Sequence, residues 1–341
     1  MGKRAIACLL LLLWASYVQA AQLRVVAGGD VYLGSWVEDV VKKRGADYPL
    51  SRLTNILGKA DIVFVNLEAP FTTAQTPFME KEYNFRVSPE LVEVLKEGSI
   101  DVVTLANNHI MDYGIKGLED TIRVLRVNGI GHVGAGRTME EARRPWIVEK
   151  KGIKVAFLAY SNTFPKEFYA DHDKGGTARG LVKFVRKDVR DARTMADFVV
   201  VSFHWGDEGM KGPKPYQQLL AHVAIENGAS VVVGHHPHVL QPIELYKDGI
   251  IAYSLGNLVF ASYSRMKVEG TLLEVVFKKE KDKRCIESFR LIPIDVDNKR
   301  VNFRPVPRME DVLSCRFSKA GRKCSGPEEI ASSNKAGDQK D

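Results

Sequence analysis

The most restrictive feature of the sequence is a recurrence of short, predominantly apolar runs, each leading into a polar or titratable residue. Residues 23–27 pass through Gly28-Gly29 into Asp30, and residues 62–67 pass into Glu68. Residues 102–106 lead into Asn107-Asn108-His109, residues 198–203 into His204, and residues 231–233, through Gly234, into His235-His236-Pro237-His238. A sixth run occupies residues 155–160. Continuous Val/Ile/Leu runs of this length suit strands buried on both faces. Amphipathic stretches with helical spacing separate them, at residues 89–97, 115–127, 187–195 and 215–226. This alternation predicts an α/β fold with helices on both faces of a largely parallel sheet. Residues 250–254, 271–278 and 288–296 follow without intervening helices and predict a second, more antiparallel sheet.

The polar residues gain meaning from where they fall. In open α/β sheets, ligands bind in the crevice beyond the carboxyl ends of the strands. Asp30, Glu68, Asn108, His204, His236 and His238 all follow apolar runs, so they are expected to converge in one crevice. Two carboxylates, an amide and three imidazoles suit a divalent cation of the Mn, Fe or Zn type. Taken singly, each has an ordinary explanation: Asp30 and Asn108 suit turns or helix caps, and a lone histidine is commonly a core residue. Asp61, Asp101 and Asp197 instead precede strands and read as turn residues at the opposite end. Asp207 and Glu208 are placed at the mouth of the crevice and Asn257 at its rim. The cluster Asp171-His172-Asp173 lies in a polar, Gly-rich loop with no strand before it, and His132 and His222 have no companions, so all three are read as structural.

Six segments then carry a resemblance: Gly29-Asp30-Val31-Tyr32-Leu33-Gly34, Asn66-Leu67-Glu68-Ala69-Pro70, Ala106-Asn107-Asn108-His109-Ile110-Met111-Asp112-Tyr113-Gly114, His204-Trp205-Gly206, His236-Pro237-His238-Val239-Leu240-Gln241 and Tyr253-Ser254-Leu255-Gly256-Asn257. Together they resemble the capsule-biosynthesis CapA family, which includes proteins required for poly-γ-glutamate capsules and is related to calcineurin-like metallophosphoesterases. The resemblance runs from about residue 23 to residue 260. It implies a layered metallophosphoesterase-like fold, with central mixed sheets flanked by helices, and one or two divalent ions. Glu68 would match the bridging carboxylate, Asp30 and His238 would serve one ion, and Asn108, His204 and His236 the other. His109 would match the histidine that acts at the leaving group. If a helix begins near Asn108, Asp112 lies three residues on, on the same face, where it could orient the imidazole; the plainer alternative is that it supports the first helical turn. The sequence departs from the superfamily pattern twice. Tyr32 stands where Asp-x-His would supply a nitrogen ligand, and Glu68 replaces an Asp.

Three functions fit these residues. The chain could be a metal-dependent, phosphoesterase-type hydrolase in the biosynthesis of a capsule or envelope polymer, either poly-γ-glutamate or polysaccharide, with a phosphoester or an anionic polymer as substrate. It could be a non-enzymatic accessory protein that binds an anionic polymer or supports a membrane-bound polymer synthase. It could also keep a one-metal site for structural purposes. The 45% hydrophobic and 27% charged composition is that of an ordinary globular chain. A net charge of +7, with no dense Lys/Arg block interleaved with aromatics, gives no support to nucleic-acid binding.

Lys3-Arg4, an apolar run over residues 5–15 and Val18-Gln19-Ala20 predict a signal peptide at 1–20. The run is short of the ~20 residues that a spanning helix needs. Cleavage near Ala20 and export to the periplasm or cell envelope is therefore expected, rather than a retained anchor. Residues 21–297 form one domain, and 298–341 a polar extension with little structure from about 314. Outside the cytosol one disulfide is possible, and Cys315 with Cys324 would close a small loop.

Overall fold

The computed structural model describes residues 20–264, 268–318 and 321–326. Apart from Ala20, the leader lies outside the described residues. Among those described, no helix is long and apolar enough to cross a membrane.

Strands β1 (Ala21–Tyr32), β2 (Ile62–Leu67), β3 (Val102–Thr104) and β4 (Gly131–Val133) lie parallel in one sheet. Helices α1 (Trp36–Arg44), α2 (Thr54–Leu57), α3 (Val92–Glu97) and α4 (Gly114–Val127) occupy the crossovers. After β5 (Ala135–Gly136) and α5 (Met139–Arg143), the hairpin of β6 (Trp146–Lys150) and β7 (Ile153–Ser161) starts a second sheet. The short β8 (Gly176–Thr177) pairs back with β5. Helix α6 (Val182–Met195), β9 (Phe198–His204), α7 (Pro215–Glu226) and β10 (Val231–His235) continue that sheet in parallel, and β11 (Ile243–Tyr246) with β12 (Gly249–Ala252) completes it. The chain then returns to the first sheet. Strand β13 (Asn257–Phe260) runs beside the end of β1, and β14 (Glu269–Glu280) pairs antiparallel with its start. Strand β15 (Lys283–Asp295), α8 (Asn298–Val301), β16 (Val306–Pro307), β17 (Leu313–Ser318) and β18 (Gly321–Ser325) build outward from there.

The mixed α/β architecture is thus central sheets flanked by helices, but the layering differs from the single parallel sheet expected. The two sheets stack face to face. Val25, Ala27, Phe64 and Val102 of one meet Phe157, Val200, Val231 and Val233 of the other, and Phe64 and Phe157 stand 5.2 Å apart between ring centres. Alternate residues point outward: Val26, Val63 and Val65 towards the first helix set, Val199, Val201 and Val232 towards α6 and α7. Both faces of these central strands are buried, which keeps the runs predominantly apolar. A run of this kind records that both faces are covered, not whether a helix or a sheet covers them. For the same reason β14 and β15 extend the first sheet, rather than forming the separate antiparallel sheet expected.

The expectation of an unstructured extension from about residue 314 is corrected for residues 314–318 and 321–326; residues 319–320 and 327–341 lie outside the described residues. Strands β17 and β18 form a hairpin on β15, and a disulfide joins the directly opposed Cys315 and Cys324. Leu313 and Cys315 are buried between the sheets, while Arg316, Ser318 and all of β18 are exposed. An edge hairpin with one wet face is polar in composition without being disordered.

Asp61, Asp101 and Asp197 lie at the amino ends of their strands, as read from the sequence, and share one geometry. Their carboxylates accept the backbone N–H of Arg24 (2.9 Å), Val63 (2.8 Å) and Lys154 (2.9 Å) on the neighbouring strand. At the opposite end, Gly29 and Gly234 permit close backbone approach. A Cβ at Gly29 would strike the carbonyl of Gly256, and one at Gly234 the carbonyl of Tyr253. The loop after β12 can therefore seat against both strand ends, where the Asp30 N–H donates to the Gly256 carbonyl at 3.0 Å. Gly29→Ala or Gly234→Ala is expected to cost roughly 1–3 kcal/mol or more of stability, read as a lower denaturant midpoint. Gly212→Ala, in open space, is expected to stay within about 0.5 kcal/mol of the parent. Equal midpoints for all three would show that the loop does not need the close approach.

Candidate metal centre

The six residues predicted to converge lie together, at the carboxyl ends of strands from both sheets. Asp30 is in β1, Glu68 follows β2, Asn108 lies in the turn after β3, His204 ends β9, and His236 and His238 follow β10. Two groups offer ligand atoms that all lie within 4.8 Å of one another: Glu68 with His204 and His236, and Asp30 with Glu68 and His238. Glu68 is common to both. Its Oε1 lies 3.7 Å from His204 Nε2 and 3.5 Å from His238 Nε2. Asn108 Oδ1 is 2.8 Å from His204 Nε2, so the amide belongs to the first group.

Backbone and electrostatics both suit this cluster to a cation. His236 and His238 adopt positive φ values of 95° and 55°, a conformation that is uncommon outside glycine and concentrates at functional sites. Burial, helped by the charge of His238, pushes the His236 imidazole down to about 4. Burial, with His236 beside it, holds His204 well below its ordinary value. Both rings are therefore neutral near pH 7, the form that binds metal. Burial alone would raise the Asp30 carboxyl, but hydrogen bonds and charge from His235 and His238 outweigh it and hold the group well below the usual carboxylate range. Ionised carboxylate, neutral imidazole and amide oxygen form a donor set that fits one or two divalent ions.

Four further residues, unassigned or placed elsewhere from the sequence, hold these groups in position. The Asn66 amide donates to Asp30 Oδ1 (2.8 Å) and to Glu68 Oε2 (2.9 Å). Asn107 donates to Asn66 Oδ1 (3.0 Å) and accepts from the N–H groups of His109 (3.1 Å) and Ile110 (2.9 Å). His235, fully buried, places Nδ1 3.2 Å from Asp30 Oδ1. Asn257, expected at the rim, is buried behind His238; its Oδ1 lies 2.9 Å from His238 Nδ1, leaving Nε2 turned towards Glu68. A signal for Asn66 was available, since it interrupts the apolar run of β2 on a strand whose residues are all buried.

His109 Nδ1 lies 2.7 Å from Asp112 Oδ2. Helix α4 begins only at Gly114, so a turn, and not the helical face expected, brings the two together. Asp112 also accepts the Phe85 N–H (2.7 Å) and pairs with Lys81 (2.5 Å). Burial lowers the His109 imidazole and Asp112 opposes the shift. The ring stacks on Phe85 (3.9 Å), which stacks in turn on Tyr32 (4.0 Å). Burial, with Asp112 nearby, pushes the Tyr32 phenol up to about 12, so it stays protonated. A cavity of about 650 Å³ opens here, lined by Tyr32, Trp36, Tyr83, His109, Glu208 and Phe260 among others. Glu208 lines it as expected, whereas Asp207 turns away to pair with Lys214. His172 pairs with Asp173 on the surface, His222 with Glu244, and His132 lies beside Trp146.

A family model described as "Bacterial capsule synthesis protein PGA_cap" matches residues 24–262. The chain belongs to this family. It is 33% identical over 287 residues to the PGA biosynthesis protein CapA of Bacillus subtilis, covering 84% of this chain and 73% of that one. Identity to the capsule biosynthesis protein CapA of Bacillus anthracis is 35% over 246 residues, 70% of this chain and 60% of the relative. A probable polyglutamine synthesis accessory protein of Mycobacterium tuberculosis is 32% identical over 210 residues, 58% of this chain and 55% of its own length. Among solved structures, the NAD nucleotidase of Haemophilus influenzae is similar with a TM-score of 0.49 at 12% identity, covering 92% of this chain and 55% of that one. For this PGA_cap chain, Asn66→Ala is expected to weaken Mn or Zn binding by about 10–100-fold, measured by calorimetric titration with circular dichroism unchanged. Unaltered affinity would mean that Asp30 and Glu68 hold their spacing without the amide.

Proposed function

We propose that this PGA_cap protein is a metal-dependent hydrolase of the phosphoester class that acts in the biosynthesis of a capsule or envelope polymer. The observation that carries this reading is Glu68 shared between two ligand groups, with His109 beside them. Asp30, Glu68 and His238 would hold one Mn, Fe or Zn ion, and Glu68, Asn108, His204 and His236 the other. Such ions, when bound, supply Lewis-acid charge and lower the pKa of water. Asn108 contributes no charge, which keeps the centre attractive to an anionic ester. With Asp112 accepting a hydrogen bond from His109 Nδ1–H, Nε2 would be left to pass a proton to the leaving oxygen, a role that suits imidazole near neutrality. Lys81 pairs with Asp112 and donates to the Asn108 carbonyl at 2.7 Å, tying the acid to the turn that carries His109.

Tyr32 favours a second reading. A protonated phenol committed to an aromatic stack is a poor ligand, so the ion at Asp30 and His238 has fewer protein donors than its neighbour. A weakly occupied centre would suit an accessory protein that binds polymer or supports a membrane synthase. Metal analysis with turnover of a generic aryl phosphate separates the two readings. The hydrolase reading expects two unequal metal-binding events, the weaker strengthened by Tyr32→His. His109→Ala is expected to keep both events and lower turnover by about 10²–10⁴-fold. Bound metal without turnover in the parent chain would leave the accessory reading standing, and loss of metal on removing His109 would show its role to be ligation.

A further inference from the structure

Away from the metal centre, a second cavity of about 500 Å³ opens between α4, the segments flanking α5 and the start of β6. Its lining carries five cations, Lys116, Arg123 and Arg126 from α4 and Arg137 and Arg144 from either side of α5, against three acids, Glu119, Asp120 and Glu141, together with the aromatic Trp146. The three cations of α4 fall on one helical face and extend over about 15 Å of axis at 1.5 Å per residue. Local carboxylates engage part of this charge. Asp120 pairs with Lys116 (2.5 Å) and Arg123 (3.0 Å), and Glu119 with Arg137 (2.8 Å). Arg126 and Arg144 line the cavity with no ion pair among the described residues. Trp146, 42% exposed, lies against Gly131, where any Cβ would strike the indole. The flat ring thus forms one wall beside uncommitted guanidinium groups. Strands β4 and β6 are edge strands of their two sheets, so the cleft follows open sheet edges, along which an extended chain can lie.

We propose that this cleft binds an extended polycarboxylate chain, with Arg126 and Arg144 gripping its carboxylates and Trp146 packing against its apolar backbone segments. A guanidinium presents a planar fork that matches a carboxylate in bidentate fashion. The cations are spread too widely for one small anion to bridge, which selects a ligand with repeated charges. The cleft needs no activity at the metal centre, so it stands or falls independently of the hydrolase reading.

Titration of the purified chain with a short poly-γ-glutamate, followed by calorimetry, tests the assignment. Affinity is expected to fall as salt rises from about 0.1 M to about 1 M, which shortens the screening length from ~10 Å to ~3 Å. The double variant Arg126→Glu, Arg144→Glu is expected to bind at least tenfold more weakly, and the milder Arg126→Ala, Arg144→Ala to lose affinity in the same direction. Thermal midpoint and Mn or Zn binding should match the parent, which verifies folding. The charge-matched control Arg52→Glu, Lys59→Glu, on exposed residues elsewhere, should retain affinity. Equal losses in the cleft and control variants would overturn the site, since binding would then follow net charge alone. Inorganic phosphate or polyphosphate displacing the polymer at equal charge concentration would overturn the carboxylate assignment.

Discussion

Two buried carboxylates at the metal centre share one amide, and the surrounding arrangement depends on it. Acids so deeply buried need hydrogen-bond donors in place of water. Asn66 donates one N–H to each of Asp30 and Glu68, beside the imidazoles of His235 and His238 at Asp30. The Asn66 oxygen is held by Asn107, which also takes the N–H groups of His109 and Ile110. A single chain of amides therefore sets the two acids, and through them the turn that presents His109.

The sheets explain why this chain of contacts can form. Parallel strands bring their carboxyl ends to one edge, and two stacked sheets place two such edges side by side. Glycines without Cβ atoms let the strand ends and the loop of Tyr253 to Asn257 approach closely, and that loop carries Asn257 to His238. At the other edge the same strands use carboxylates for a different purpose: Asp61, Asp101 and Asp197 cap neighbouring backbone N–H groups and take lysine partners. The partners separate the roles. Asp30 and Glu68 face imidazoles, whereas Asp61, Asp101 and Asp197 pair with lysines.

Tyr32 is committed to an aromatic stack. It packs on Phe85, which packs on His109, so the phenol steadies the ring of the proton-transfer candidate. An aromatic cavity adjoins the candidate metal centre, while the cleft that holds Arg126 and Arg144 lies along α4.

The amino-acid sequence by itself marked the central strands of both sheets and the polar residues near their carboxyl ends. A strand buried on both faces carries few polar residues, so Asp30, Glu68, His204 and the histidines after β10 were legible against their apolar runs. The i, i+3 spacing of His109 and Asp112 was legible too, although a turn and not a helix realises it. Only the tertiary structure decided which layer covers each strand, because burial leaves the same pattern under a helix or a sheet. It alone showed that Asn66, hidden inside an apolar run, faces the acids, and that Asn257, expected at the rim, supports His238. It also showed that residues 313–318 and 321–325 form an edge hairpin. Each of these depends on a partner distant in the chain, and local periodicity carries no record of which partner that is.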